Sequence, residues 1–140
     1  KATLFARSIE FVDLAVYHYL LGNASQSVAD TVFARRWDDH TRVTYEMLRY
    51  YVQVQASLSE SRRNYLQRKV NLVIDTHYNI ALIFDPERKR GLARAKEFRA
   101  YLKAKYPEFA QYGERRYKTA KILHHLGVDS QQKLNRIVGR

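Results

Sequence analysis

Five histidines, eleven tyrosines and a dense late series of lysines and arginines are the side chains of this 140-residue sequence whose chemistry could go beyond packing. His18 lies inside an apolar run from Ile9 to Leu21. There an imidazole could hydrogen-bond, or ligate a metal opposite a carboxylate. A lone histidine in such a run is more often a core residue, and His77, on the apolar stripe of a helical pattern, reads the same way. His124 and His125 are adjacent, so on a helix they point about 100° apart and cannot form the i, i+4 pair of a helical zinc site. That pair reads as surface. Asp38-Asp39-His40 brings acids and an imidazole together, but at a helix start it is explained by capping and dipole compensation. No Ser/His/Asp order, Gly-rich phosphate loop or pair of carboxylates at a strand end can be assembled. The sequence therefore assigns no catalytic residue and no metal ligand. Gln26 and Ser27 follow Gly22-Asn23-Ala24-Ser25 in a loop whose free backbone N–H groups and neutral side-chain donors suit a diphosphate. The same residues also suit an ordinary turn, with Ser25 or Ser27 capping a helix from about Val28.

The formal net charge is +11, and its placement is uneven. Residues 1–84 carry 10 Lys/Arg against 8 Asp/Glu, whereas residues 85–140 carry 15 against 6. Such a bias calls for an anionic partner: lipid headgroups, nucleic acid or a phosphorylated substrate. The candidate binding residues are Arg88, Lys89, Arg90, Arg94, Lys96, Arg99, Lys103, Arg115, Arg116 and Lys118, with Lys105 and Lys121 beside them. Tyr101, Tyr106, Tyr112 and Tyr117 interleave with this series. Long cationic stems among tyrosines suit an anionic membrane interface, and the charge alone would also suit a nucleic-acid backbone. A solvated helix face is the competing reading of the same pattern.

The elements that must position these groups change character near residue 30. Residues 2–7 resemble the last turn of a helix. Residues 9–13 and 15–21 are apolar and rich in β-branched and aromatic members, as strands are. A lone strand pair is not independently stable, so it reads as the edge of a missing α/β sheet. From Asp30 the period becomes helical. Asp38 or Asp39 starts a helix to about Ser57 with Val43, Met47, Tyr51 and Val54 inward. Ser59 caps a second, about 38 Å long, carrying Leu66, Val70, Val73, His77, Ala81 and Phe84. Asp85-Pro86 caps a third, with Leu92, Ala95, Phe98 and Leu102 inward. Pro107 begins a fourth that Gly127 stops, and Asp129 or Ser130 caps a short fifth to Val138. The fold class expected is mainly α: a short N-terminal β-strand pair over 1–29, then a bundle of about five helices over 30–140. Cysteine is absent, which fits a reducing compartment. No apolar run approaches the roughly 20 residues of a membrane span, and the first residues lack the apolar stretch of a signal peptide.

The order of an apolar strand, Tyr17-His18-Tyr19, a Gly22-Asn23 loop and Gln26-Ser27-Val28 resembles a segment of bacterial family 2 glycosyltransferases. The match spans about 30 residues, and a Tyr- and Lys-rich helical tail is common in members that build surface polysaccharides. The resemblance implies a C-terminal fragment, inactive alone, of an enzyme moving a sugar from a nucleotide-sugar to an acceptor hydroxyl. It places Gln26, Ser27 and His18 near the donor diphosphate and the catalytic acid before residue 1. It implies a divalent metal, Mg or Mn, for the full-length enzyme and no cofactor in this piece. It also implies a cytoplasmic location against the inner face of the plasma membrane. The partners expected are the nucleotide-sugar and acceptor glycan through the missing domain, an anionic membrane surface, nucleic acid as a lesser choice, and a second copy in a homo-oligomer. The family often has Arg directly after Tyr-His-Tyr. Here that position is Leu20, so this strand offers the phosphate no guanidinium. The alternatives kept open are a basic helical nucleic-acid-binding module and a structural bundle that oligomerises through Tyr-rich faces.

Overall fold

The computed structural model describes residues 30–138 together with Leu4, Ala6 and Ser8. The strand pair expected over 9–21, and with it His18, Gln26 and Ser27, lies outside the described residues. Among those described there is no strand. They form six α-helices: α1 (Asp30–Arg35), α2 (Trp37–Val54), α3 (Glu60–Asn79), α4 (Arg88–Lys105), α5 (Pro107–His125) and α6 (Gln131–Val138). The α-rich class expected from the sequence is observed.

α3 is the central element, packing on α2 at one side and α5 at the other, while α4 packs on α5. Its inward stripe is Leu66, Val70, Ile74, His77 and Tyr78, all buried. With Leu48 and Tyr51 of α2, Ala95, Phe98 and Leu102 of α4, and Phe109, Tyr117 and Ala120 of α5, it forms the main core. Leu4 is buried in the same cluster. On α2 Tyr51 is buried as expected and Met47 and Val54 are half-buried against the core, but Val43 is 52% exposed and Thr44 and Leu48 are fully buried instead. Thr44 tolerates burial because its Oγ1 donates to the His40 carbonyl at 2.8 Å, which satisfies the hydroxyl inside its own helix.

The expected helix to Phe84 divides in two. α3 is regular to Asn79 and widens into a π-helical turn over Ile80–Phe84, each residue of which is buried. A wide turn leaves carbonyls without their usual partners. One of them, Leu82, accepts a hydrogen bond from His124 Nδ1 at 2.6 Å. α4 then returns very close to this turn. A Cβ placed on Gly91 would lie 1.9 Å from the Ala81 carbonyl oxygen, so only glycine permits the approach.

The helix ends follow the sequence signals with three exceptions, the first being that neither Asp38 nor Asp39 caps α2, which starts at Trp37 after Arg36 and holds both aspartates in its first turn. Pro107 opens α5. Gly127, at φ 76°, closes it with Val128 N–H to Leu123 O and Gly127 N–H to His124 O, the paired bonds of a glycine-terminated helix. Ser130 Oγ accepts the Lys133 N–H at 3.3 Å as the cap of α6. Ser59, by contrast, precedes α3 without a side-chain capping bond. Asp85 does not cap a helix opened by Pro86, because α4 begins three residues later, at Arg88. A second, smaller cluster joins Ile80, Ile83 and Phe84 of the wide turn to Val128 and Leu134, with Phe33 and Leu123 against it.

Candidate functional site

The outer face of α4 is built from two residue types. Lys89, Ala93, Lys96, Ala100 and Lys103 are all exposed and fall at steps of four and three. They therefore share one face, with the lysines about 10 Å apart along the axis. None of the three lysines is in an ion pair among the described residues. The alanines between them leave the long cationic stems free to lie down on a flat anionic surface. The exposed Arg115 of α5 keeps its charge outside ion pairs too, resting its guanidinium 6.0 Å from the Tyr112 ring.

Of the other cations expected at an anionic surface, Arg90, Arg94, Arg99, Arg116 and Lys118 are held by carboxylates. Arg99 grips Glu114 with two bonds, 2.6 and 2.9 Å, and Lys118 approaches the same carboxylate at 3.6 Å. The Arg99 bond holds the Glu114 carboxyl below its ordinary pKa. Arg116 pairs with Asp75 at 2.7 Å, to which Tyr112 also donates at 2.8 Å. Burial pushes the Asp75 carboxyl up against both donors. Arg88 donates to the His124 carbonyl.

The tightest cluster surrounds Asp85, whose side chain is completely buried. Its Oδ1 accepts the Glu87 N–H at 2.9 Å and Arg90 Nη2 at 2.7 Å. Its Oδ2 accepts Arg90 Nε at 3.1 Å and Arg94 Nη1 at 2.8 Å. Burial alone would raise this carboxyl, but the Arg90 bond, the Glu87 N–H and the Arg94 charge outweigh it and the pKa is lowered. Arg94 in turn lies 4.8 Å from the Trp37 ring centre, a favourable contact for a desolvated guanidinium.

Beneath Trp37 two imidazoles meet. His40 Nδ1 and His77 Nδ1 are 3.1 Å apart, so they share one proton between them. Thr44 Oγ1 lies 3.2 Å from the first and 3.4 Å from the second. His77 is sandwiched between Trp37 and Phe98 at 4.2 and 4.1 Å, and its Nε2 is buried without a hydrogen-bond partner. Burial, then the neighbouring His40 and Arg94, push its pKa down to about 3. His77 is the core residue expected, and His40 joins it rather than the exposed Asp38 and Asp39, which lie in the first turn of α2.

Two sequence readings are corrected here. The His124-His125 pair is not surface: His125 is exposed, but His124 is buried against the wide turn. Tyr101 and Tyr106 do not stand between the cations, whereas Tyr112 and Tyr117 do, their rings 6.0 Å from the Arg115 and 5.0 Å from the Arg99 guanidinium. Tyr101 stacks on Tyr45 at 4.0 Å, Tyr106 packs on Tyr101, and Tyr117 is buried, because their rings are larger apolar bodies than the core could leave out. Sequence reasoning missed Asp85 as an ion-pair centre and Trp37 as its lid. The only signal was the pair of arginines five and nine residues after a lone aspartate.

Among the described residues no group of three or more His, Cys, Asp or Glu is placed to hold a metal ion. The divalent ion implied by the resemblance therefore has no ligand cluster among the described residues. No described helix is long and apolar enough to cross a membrane. Comparison with models of known protein families, with curated proteins and with solved structures finds no match.

Proposed function

We propose that this chain is the C-terminal part of a glycosyltransferase of the surface-polysaccharide type. Residues 1–29 complete a nucleotide-sugar-binding domain, and residues 30–140 form an accessory bundle that docks on anionic lipid at the inner face of the plasma membrane. The donor-side residues in this reading are Gln26, Ser27 and His18. The acceptor-activating acid and the Mg or Mn ligands are assigned to no residue of this chain. The support is the Tyr17-to-Val28 segment in the sequence. The observation that carries the docking role is the Lys89–Lys96–Lys103 stripe of α4, exposed and outside ion pairs among the described residues. Each lysine near an anionic bilayer contributes about 1 kcal/mol, so the stripe alone is worth about a hundredfold in affinity.

The test is flotation of the chain with phosphatidylcholine vesicles, with and without phosphatidylglycerol, beside a duplex-DNA shift at matched salt. Binding to the anionic vesicles that is lost at high salt, and lost again in the Lys89→Glu, Lys96→Glu, Lys103→Glu triple variant, is the expected result. Duplex binding without vesicle binding would replace this reading with a nucleic-acid module. The transferase half is tested separately, by sugar transfer from radiolabelled nucleotide-sugars with the protein that carries this chain. Loss of transfer in Gln26→Ala is expected.

A further inference from the structure

A second cationic feature faces away from the arguments above. The end of α1 and the start of α4 enclose a cleft of about 380 Å³ lined by Ala34, Arg35, Pro86, Arg90 and Arg94. Among the described residues, three of its five lining residues are arginines. We propose that this cleft binds a phosphate-type anion, a phosphate monoester or diphosphate, between Arg35 on one wall and the Arg90–Arg94 pair on the other.

Those guanidiniums are held in place by the protein itself. Arg90 and Arg94 are both anchored on Asp85 from behind, Arg90 through two bonds and Arg94 through one while it lies on Trp37. Their positions are fixed before any ligand arrives, which removes much of the ordering cost of binding. Planar forks of this kind match phosphate oxygens with two bonds at a time. Asp85, wholly buried, cancels one of the three arginine charges, so the cleft keeps a positive balance. Arg35 is exposed and has no ion pair among the described residues. A purely structural lock accounts for Arg90 but gives no reason for an arginine on the facing wall. The cleft volume lies in the range of small-ligand sites. Among the described residues Glu87 is the second opposing carboxylate, bonded to Arg90 Nη1 at 2.9 Å as a surface pair. Such a pair is worth little and yields readily to a stronger anion. The inference does not depend on the transferase reading.

Trp37 is the single tryptophan of the chain, so its emission reports directly on Arg94. The experiment is titration of the 140-residue chain with inorganic pyrophosphate at constant ionic strength, followed by Trp37 emission and by calorimetry. A saturable change is expected. Arg35→Ala should weaken binding roughly tenfold, the worth of one exposed charge-assisted contact, with the melting temperature unchanged. Glu87→Gln should tighten it. Arg62→Ala, an exposed cation at the far end of α3, should leave it alone. A nucleoside diphosphate and a short-chain phosphatidic acid below its micelle concentration then separate the sources. Tighter binding of the first assigns a soluble phosphate and tighter binding of the second a lipid headgroup, and either supports the site. No saturable signal with any of the three overturns the proposal. Equal weakening by Arg62→Ala and Arg35→Ala also overturns it, because that is general charge screening.

Discussion

Asp85→Asn removes the charge around which the start of α4 is organised. The aspartate accepts four bonds, three from guanidinium nitrogens and one from a backbone N–H. Taking one member out of a buried ion pair costs about 3–5 kcal/mol, because the other charge is left without a counter-ion. Arg90 and Arg94 keep 43% and 23% of their side-chain exposure, so water relieves them in part and the lower end, about 3 kcal/mol, applies. At about 4 °C per kcal/mol for a domain of this size, the melting temperature falls by about 12 °C. Urea unfolding followed by Trp37 emission measures it. The acid limb supplies a second reading. The folded carboxyl is held below its unfolded value, so its contribution is complete above the unfolded pKa and disappears as pH falls through the folded one. The variant lacks that group, and the gap between the two proteins should close below about pH 4. A loss smaller than about 1 kcal/mol, the worth of a surface pair, or a gap that does not change with pH, refutes the reasoning.

Gly91→Ala should destabilise the fold by about 2 kcal/mol: overpacking near 3, less the gain of about 1 from a better helix former. The cause is its Cβ meeting the Ala81 carbonyl. Stabilisation in thermal melts, as expected of an exposed helical glycine, would show that α4 is free to move away. His77→Phe should raise stability at pH 5 and reduce the acid slope. The folded imidazole titrates at about 3 against about 6.5 unfolded, so its contribution is present above pH 6.5 and is lost as pH falls below it. An unchanged slope between pH 6.5 and 5 in urea titrations would rule out His77 as its source.

The helices were legible where the signals were local. Pro107, Gly127 and Ser130 marked ends that depend on neighbours within four residues, and each is where the structure places it. The wide turn was not legible, because Ile80–Phe84 is apolar on every side and such a run has no period to betray a change of pitch. The functional face was legible as charge but not as a selection. Sequence spacing put ten cations together, and only the fold shows that Glu114, Asp75 and Asp85 engage Arg90, Arg94, Arg99, Arg116 and Lys118. Those partners lie up to 41 residues away, as Asp75 does from Arg116, a separation no local pattern records. His124 was misread for the same reason: its partner, the Leu82 carbonyl, is 42 residues distant.

Among the described residues the two apolar clusters are unequal, fifteen buried residues against five. The smaller one seats Phe33 of α1 and Leu134 of α6 on the same wide turn, although a hundred residues of chain separate them. Elements with few buried contacts open at lower free energy than the rest of a domain. Detaching either helix uncovers part of the patch that the other rests on. α1 and α6 are therefore joined in one subglobal opening unit, with amide exchange in the two rising together, while α2 to α5 exchange only when the whole bundle unfolds.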